Sequence, residues 1–410
     1  MMKNILCTLV LAISFLSNGV AQSLETCVNS ALQNSPLLHD YNNQLLAGKF
    51  DSLLILASFK PQVNEIAQLT HFPVGSGWGY DEAITNGGNY SAMANVSQTL
   101  FNKKRISGQL QTITLLNQQL KLNEKITVID LKKSITDQYL VAFTDFAKYQ
   151  FNKSVLELLF NEQKQIKSLI DRGIYQVTDF MNLQVLITAQ KIVVSQSYIQ
   201  LKNDLALLHF ICGITDQVEI NLTKPEITVQ SIPDPEHSPL SALFRIDSLK
   251  NSNSRQLIDL AYQPRISAFA DAGFSAITPA NITHNIGTSF GINFSIPIYD
   301  GKQRKLQNDK INLAENTRIF YRRTYSSLYK IQYNQLKNQL QLTDGLIGEI
   351  KNQLSEQERL IDLYRIELDK GMVRFMDFLT ILNNYSVTKI NFLATEMNRM
   401  QIINQLNYLK

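Results

Sequence analysis

Two hydrophobic periodicities alternate along the chain. From Ile286 to Ile296 every second residue is Ile286, Thr288, Phe290, Ile292, Phe294 or Ile296, and Asn285, Gly287, Ser289, Gly291, Asn293 and Ser295 fall between them. A period of two over this length predicts a strand. Arg265–Ala276 alternates likewise, with Ile266, Ala268, Ala270, Ala272, Phe274 and Ala276 on one face. Tyr90, Ala92, Ala94 and Val96 against Ser91, Asn95, Ser97 and Thr99 predict a third strand. Pro61–Phe72 predicts a fourth, with Glu65 and Ile66 breaking the alternation. Prolines at strand ends, such as Pro61, Pro264 and Pro297, leave the ladder intact.

The rest of the pattern is helical. Leu24–Ser58 and about Leu240 to Ala261 each run up to a strand. Asn102 to about Arg172 holds no Pro and one Gly, and Gly301 to about Lys370 holds no Pro. A helix of ~70 residues is ~105 Å long. Beyond Gly173 and Gly371 helix is expected again, to about Phe210 and Lys410. Such rods do not fit a compact globule. Apolar positions such as Leu110, Ile113, Leu116, Leu120, Ile126, Ile129, Leu131 and Ile135 form seams of the coiled-coil type.

The order of elements occurs twice. Phe59-Lys60-Pro61-Gln62 returns as Tyr262-Gln263-Pro264-Arg265. Leu100-Phe101-Asn102-Lys103 returns as Ile298-Tyr299-Asp300-Gly301, and Asp171-Arg172-Gly173 with Asp179-Phe180 returns as Asp369-Lys370-Gly371 with Asp377-Phe378. Offsets of ~203, ~198 and ~198 residues in one order indicate a duplicated unit. The seam, Thr223–Pro239, holds Pro225, Pro233, Pro235 and Pro239. The expected organisation is a leader over 1–21, a first repeat over 22–222, a Pro-rich linker over 223–239 and a second repeat over 240–410.

The leader is read from one Lys in Met1–Asn4, an apolar run Ile5–Phe15, and Gly19-Val20-Ala21 ahead of cleavage before Gln22. The run is far short of the ~20 apolar residues of a membrane anchor. Cys27 and Cys212 remain in the mature chain; two cysteines make no framework, and unpaired thiols are the expectation.

Composition then raises a question. Charged residues are 18 % of the chain and the net charge is +4, against ~25 % charged in ordinary soluble domains. A mean hydropathy of −0.10 excludes a multi-helix membrane transporter. The strand faces suggest where the missing charge went. One face is apolar and, at ~10–12 residues per strand, about 25 Å tall, as in an outer-membrane barrel wall. The other is small and polar rather than rich in Lys and Glu, as in a wet lumen. Four strands close no barrel, and an open edge in lipid leaves backbone groups unpaired at several kcal/mol each. The chain is therefore expected to oligomerise. The connection Pro73–Gly88 contains Gly75-x-Gly77-x-Gly79. A strand follows it where a phosphate-binding loop needs a helix, so it is read as a flexible outer loop, with Trp78 and Tyr80 set to meet headgroups or to stabilise the loop.

This arrangement resembles the TolC-like outer-membrane efflux proteins over essentially the whole mature chain. The most specific segments are Arg172-Gly173-Ile174-Tyr175-Gln176-Val177-Thr178-Asp179-Phe180 and Lys370-Gly371-Met372-Val373-Arg374-Phe375-Met376-Asp377-Phe378-Leu379, similar to that family's hairpin-tip signature, with Leu207-Leu208-His209-Phe210-Ile211-Cys212-Gly213 similar to its second-helix end. The resemblance implies a mainly α fold with a membrane β part, built from two structural repeats with long antiparallel coiled-coil helices. Four strands per chain would form a trimeric 12-stranded barrel. It implies a passive exit duct of a tripartite efflux or type I secretion system, opening at its periplasmic tip. The implied partners are two further copies, outer-membrane lipid, a periplasmic membrane-fusion adaptor and an inner-membrane pump. The alternative of another class is a soluble periplasmic coiled-coil adaptor or scaffold with a small β domain.

In that family acidic residues narrow the aperture. Asp377 and its repeat counterpart Asp179 fall on the first such position, while Thr380 and Asn182 stand where a second acid is frequent. Carboxylates converging on an axis raise one another's pKa and bind cations; equally, Asp179 and Asp377 suit the N-terminal turn of the returning helix. Arg172 and Lys370 suit the last turn of the incoming helix or an adaptor contact, and Arg374, beyond the turn, the second role more than the first. Gly173 and Gly371 suit a left-handed turn. No catalysis and no cofactor is expected. His39, His71, His209, His237 and His284 are scattered, and no metal-spacing motif or nucleophile elbow is present. Nucleic-acid binding is not expected either, since Lys103-Lys104-Arg105, Lys302–Lys305 and Arg322-Arg323 are short runs on long helices.

Overall fold

A computed structural model describes residues 23–75, 77–215, 222–230 and 234–410, apart from the side chains of 82 and 84. The leader lies outside the described residues. In order the elements are α1 (Leu24–Asn34), α2 (Pro36–Ser58), β1 (Gln62–His71), α3 (Glu82–Thr85), β2 (Gly88–Leu100), α4 (Lys103–Asp171), α5 (Val177–Cys212), α6 (Pro239–Ala261), β3 (Arg265–Ala276), β4 (Ile286–Ser295), α7 (Gln303–Asp369) and α8 (Phe375–Asn407). The first helix is divided at Ser35, which is extended. Pro36 disfavours helical backbone in the residue before it and starts α2 at no cost in donors.

The strands form one antiparallel sheet in the order β1-β2-β3-β4. Its register explains the uneven first strand. Val63, Glu65, Ala67 and Leu69 stand opposite Val96, Ala94, Ala92 and Tyr90 on the apolar face, so Glu65 is its one charged member in β1 and Ile66 belongs to the polar face. Across β3 and β4 the apolar face pairs Ile266 with Phe294, Ala268 with Ile292, Ala270 with Phe290 and Phe274 with Ile286. No described residue covers its β4 part: Phe290 is 89 % exposed, and Ile286, Ile292 and Phe294 are exposed as well. On the polar face Asn95 and Ser289 donate to the two carboxylate oxygens of Asp271, the latter at 3.0 Å. Phe269 lies over Gly291 on that face, where a Cβ would meet its ring at 2.7 Å.

By its internal contacts the chain divides into two compact units, each drawing on both repeats. One comprises Leu37–Ile126 and Asp234–Leu328 with Lys410; the other the residues up to Pro36, Thr127–Pro233 and Tyr329–Leu409. The first holds the sheet. In it Gly108 lets α4 approach α6: a Cβ there would meet Leu257 Cδ2 at 2.7 Å, and Asn253 donates to Gly108 O at 3.1 Å and to Thr112 Oγ1 at 2.8 Å. The α4 seam differs by one position from expectation, since Leu115 is buried and Leu116 exposed. The loop after β1 closes on itself: Tyr80 N donates to Pro73 O at 2.7 Å, and Phe72 and Tyr80 stack edge-on at 5.9 Å. Trp78 is exposed.

The second unit has two apolar clusters. In one, Cys27, Ala31, Ile135, Tyr139, Leu205, Leu208 and Cys212 bind α1 to α4 and α5. Cys27 and Cys212 are both buried thiols, and they share a hydrogen bond. Residues 222–230 run beside α8, where Asn407 accepts from Gln230 N at 2.8 Å and donates to Thr228 O at 2.9 Å. The other cluster fills the hairpin tips.

Candidate functional site: the paired hairpin tips

Each tip is a helix, a left-handed glycine and a returning helix. Gly173 has φ +75° and Gly371 φ +67°. Gly173 N donates to Ile170 O at 2.8 Å and Ile174 N to Leu169 O at 3.0 Å; in the second tip Gly371 N donates to Leu368 O at 3.0 Å and Met372 N to Glu367 O at 3.0 Å. These crossed bonds satisfy the last carbonyls of α4 and α7, and glycine takes the left-handed backbone without a Cβ clash.

The two tips pack on each other. Val155, Leu159, Ile166, Leu169, Leu183 and Ile187 of the first hairpin share one core with Ile361, Leu368, Phe375, Phe378, Leu379 and Leu382 of the second. A Cβ on Gly371 would stand 2.6 Å from Ile174 Cγ2, so the second turn is a glycine for space as well as for backbone. The Tyr175 hydroxyl lies 2.8 Å from Val373 O and 3.1 Å from Leu368 O. Burial, then the carboxylates of Asp179 and Asp369, push the Tyr175 phenol up, which keeps it a neutral donor.

The charged tip residues are arranged differently in the two repeats. Asp179 Oδ2 accepts from Gln176 N at 3.1 Å, capping α5. Asp377 instead accepts from its own Arg374, Nε to Oδ2 at 3.0 Å and Nη2 to Oδ1 at 3.1 Å, a two-pronged pair near the start of α8. Thr380 turns its hydroxyl onto Met376 O at 2.8 Å. Asn182, Arg172 and Lys370 are exposed. The tip thus brings Gly173, Tyr175, Lys370 and Gly371 to one end, with Asp377 and Arg374 joined; Asp179 and Asp377 each engage their own hairpin rather than each other.

One element goes beyond the sequence reading. Glu162 of α4 has a side chain only 5 % exposed and meets Arg365 of α7 at 3.4 Å. Its second oxygen, Oε2, has no hydrogen-bond partner among the described residues, nor has Gln357 Oε1. Burial pushes the Glu162 carboxyl up, Arg365 pulls it back and Asp369 adds to the rise. Among the described residues no group of three or more His, Cys, Asp or Glu is arranged to hold a metal, and no helix is long and apolar enough to cross a membrane.

No protein-family profile and no curated protein sequence matches the chain. Solved structures do. The CusC structure, described in terms of conformational changes accompanying folding and transmembrane channel formation, superposes with a TM-score of 0.77 at 13 % identity, over 95 % of this chain and 92 % of that one. The outer-membrane protein VceC from Vibrio cholerae gives 0.72 at 12 %, over 94 % and 95 %. The open state of the Neisseria gonorrhoeae MtrE outer-membrane channel gives 0.72 at 12 %, over 94 % and 88 %. At such identities the likeness is one of fold, and the fold of this mainly helical chain with its four-stranded antiparallel sheet is TolC-like.

Proposed function

We propose that the chain is one subunit of a passive duct through the outer membrane. The observation that carries this reading is the sheet: one face mostly apolar and uncovered, the other mostly small and polar, with both edge strands unpaired among the described residues. A soluble protein does not leave such a face in water. In lipid the edges must be closed by further strands. Three copies supply twelve strands, and the sheet's polar face becomes a wet lumen.

The long helices supply the second part of the reading. Leu306, Leu313 and Phe320 of α7 recur every seventh residue and are exposed, as are Leu46, Phe50 and Leu53 of α2. That spacing is a coiled-coil seam without its partner, and a neighbouring copy is the partner that fits a closed ring. The tips then form the periplasmic aperture, with Asp377, Thr380, Asp179 and Asn182 around it. Arg172, Gly173, Lys370, Gly371 and Arg374 face a membrane-fusion adaptor, through which an inner-membrane pump supplies the energy. No reaction is catalysed.

Expression with the leader, followed by membrane fractionation, gel mobility before and after boiling, and planar-bilayer recording, tests this. The expected result is an outer-membrane oligomer that dissociates on boiling and conducts ions. A fully soluble periplasmic monomer would sink the duct reading and favour the soluble adaptor.

A further inference from the structure

The end of β2 and the start of α4 meet the end of α6 and the start of β3 around a cavity of about 590 Å3. Lys103, Lys104, Arg105 and Arg265 line it, and no carboxylate does. Among the described residues none of the four forms an ion pair. Arg105 Nη2 donates to Leu260 O at 3.1 Å and Arg265 Nη2 to Ala261 O at 3.5 Å. The negative end of the α6 dipole holds both guanidinium groups there, yet a helix end carries only a fraction of one charge. Burial, and then the neighbouring Arg265 charge, pull the Arg105 pKa down, as expected for cations gathered without an anion.

The second repeat provides an internal comparison. Asp300 stands where the first repeat has Asn102. It accepts from Lys302 N at 2.9 Å, Arg304 N at 2.7 Å and the Tyr262 hydroxyl at 2.5 Å, and Arg304 pairs with Asp259 at 2.8 Å. That junction sets two carboxylates, Asp300 and Asp259, among its cations. The first lacks the acid and keeps its charge. Its turn also carries an apolar group: Phe101 has φ +54°, a conformation that non-glycine residues rarely take, and is 89 % exposed. Leu100, which pairs with Ile266 at the end of the apolar sheet face, lines this cavity.

We propose that this cavity binds the phosphodiester headgroup of an anionic phospholipid of the periplasmic leaflet, its acyl chains lying along the apolar sheet face and Phe101. A free phosphate would use the four cations but not the exposed ring or the adjoining apolar face. The assignment rests on the outer-membrane reading above.

The test uses the full-length oligomer, stripped of lipid in an uncharged detergent. It is titrated with phosphatidylglycerol, phosphatidylcholine and inorganic phosphate, and retained lipid is counted by native mass spectrometry. Phosphatidylglycerol is expected to bind at least about tenfold more tightly than phosphatidylcholine. That preference is lost in Lys104→Gln/Arg265→Gln and kept in Arg304→Gln, at a guanidinium already paired with Asp259 in the second junction. Where the double variant loses its oligomer, Lys104→Gln alone, at an exposed position, is read instead. Equal retention of the two lipids, or a preference that survives these substitutions, would overturn the site. Inorganic phosphate displacing phosphatidylglycerol at similar concentration would overturn the lipid assignment. Membrane fractionation of the wild type separates the two levels: an outer-membrane protein without lipid preference removes only this site, and a soluble one removes both readings.

Discussion

The hydroxyl of Tyr175 lies 2.8 Å from the carbonyl oxygen of Val373, and the two residues are counterparts, 198 positions apart in the duplicated chain. One tip is thus fastened to the same point of the other. Tyr175→Phe keeps the ring against Phe375 and removes only the hydrogen bond, worth about 1 kcal/mol. Trypsin reports on this, because Arg172, Lys370 and Arg374 are exposed at the tips. Cleavage there is expected to rise roughly fivefold, the equivalent of that energy in local opening. Cleavage at the wild-type rate would mean that the bond does not hold the tips.

Arg374 holds both oxygens of Asp377, so the carboxylate proposed for the aperture is masked by its own chain. Arg374→Gln is expected to unmask it and to strengthen block by multivalent cations in planar bilayers. Asp377→Asn in that background should abolish the added block. Identical block in all three proteins would remove Asp377 from the conducting path.

Glu162 gives the tips a pH dependence of defined sign. Its folded pKa is raised above the ordinary 4.5 by burial, so the folded state holds the proton to higher pH than the unfolded chain does. The contribution of Glu162 is therefore fully present below about 4.5 and is lost as pH rises from there through the raised value. Glu162→Gln should flatten this part of the profile in thermal melts between pH 4 and 8. A profile as steep as the wild type would assign the dependence to other groups.

Glu315 titrates in the opposite sense. Arg318, at 2.6 and 3.0 Å, Asn251 at 2.9 Å and Ser248 at 3.2 Å all donate to it and hold its pKa at about 2. Its contribution is present above the ordinary 4.5 and is lost as pH falls from there toward about 2. Acid melts of Glu315→Gln should lose this step, and an unchanged acid limb would exclude the cluster.

The exposed α7 stripe should govern assembly. Leu313→Glu with Phe320→Glu places charges where a neighbouring copy is expected, without touching a buried position. Light scattering should then show monomers whose helical circular dichroism is unchanged. Intact oligomers would move the subunit contact elsewhere.

Much of this is legible in the sequence. The alternation of Arg265–Ala276 yields the observed bounds of β3, and Gly173 and Gly371 have the left-handed backbone expected of them. Both are local properties, written in neighbouring residues. What could not be read are contacts between segments distant in the chain. Periodicity marks a helix face as apolar but not which neighbour covers it, hence Leu115 rather than Leu116 in the seam. Tyr175 stood inside the quoted tip signature, yet its hydroxyl gains meaning only beside the second hairpin. The burial of Glu162 is not written in its neighbours, because burial of a charge depends on the helix packed against it. Arg374, beyond the turn, is expected from the sequence to suit an adaptor contact, and its bidentate hold on Asp377 is not read there.

The fastening of one tip to the other also sets how many parts can move. A ring built from such chains shows two hairpins per subunit, but Tyr175, the Ile174–Gly371 contact and the shared apolar core join each pair into a single body. In the proposed duct each subunit would therefore move its two tips together. In the proposed ring the joints left to part are those between subunits, half as many as there are hairpins.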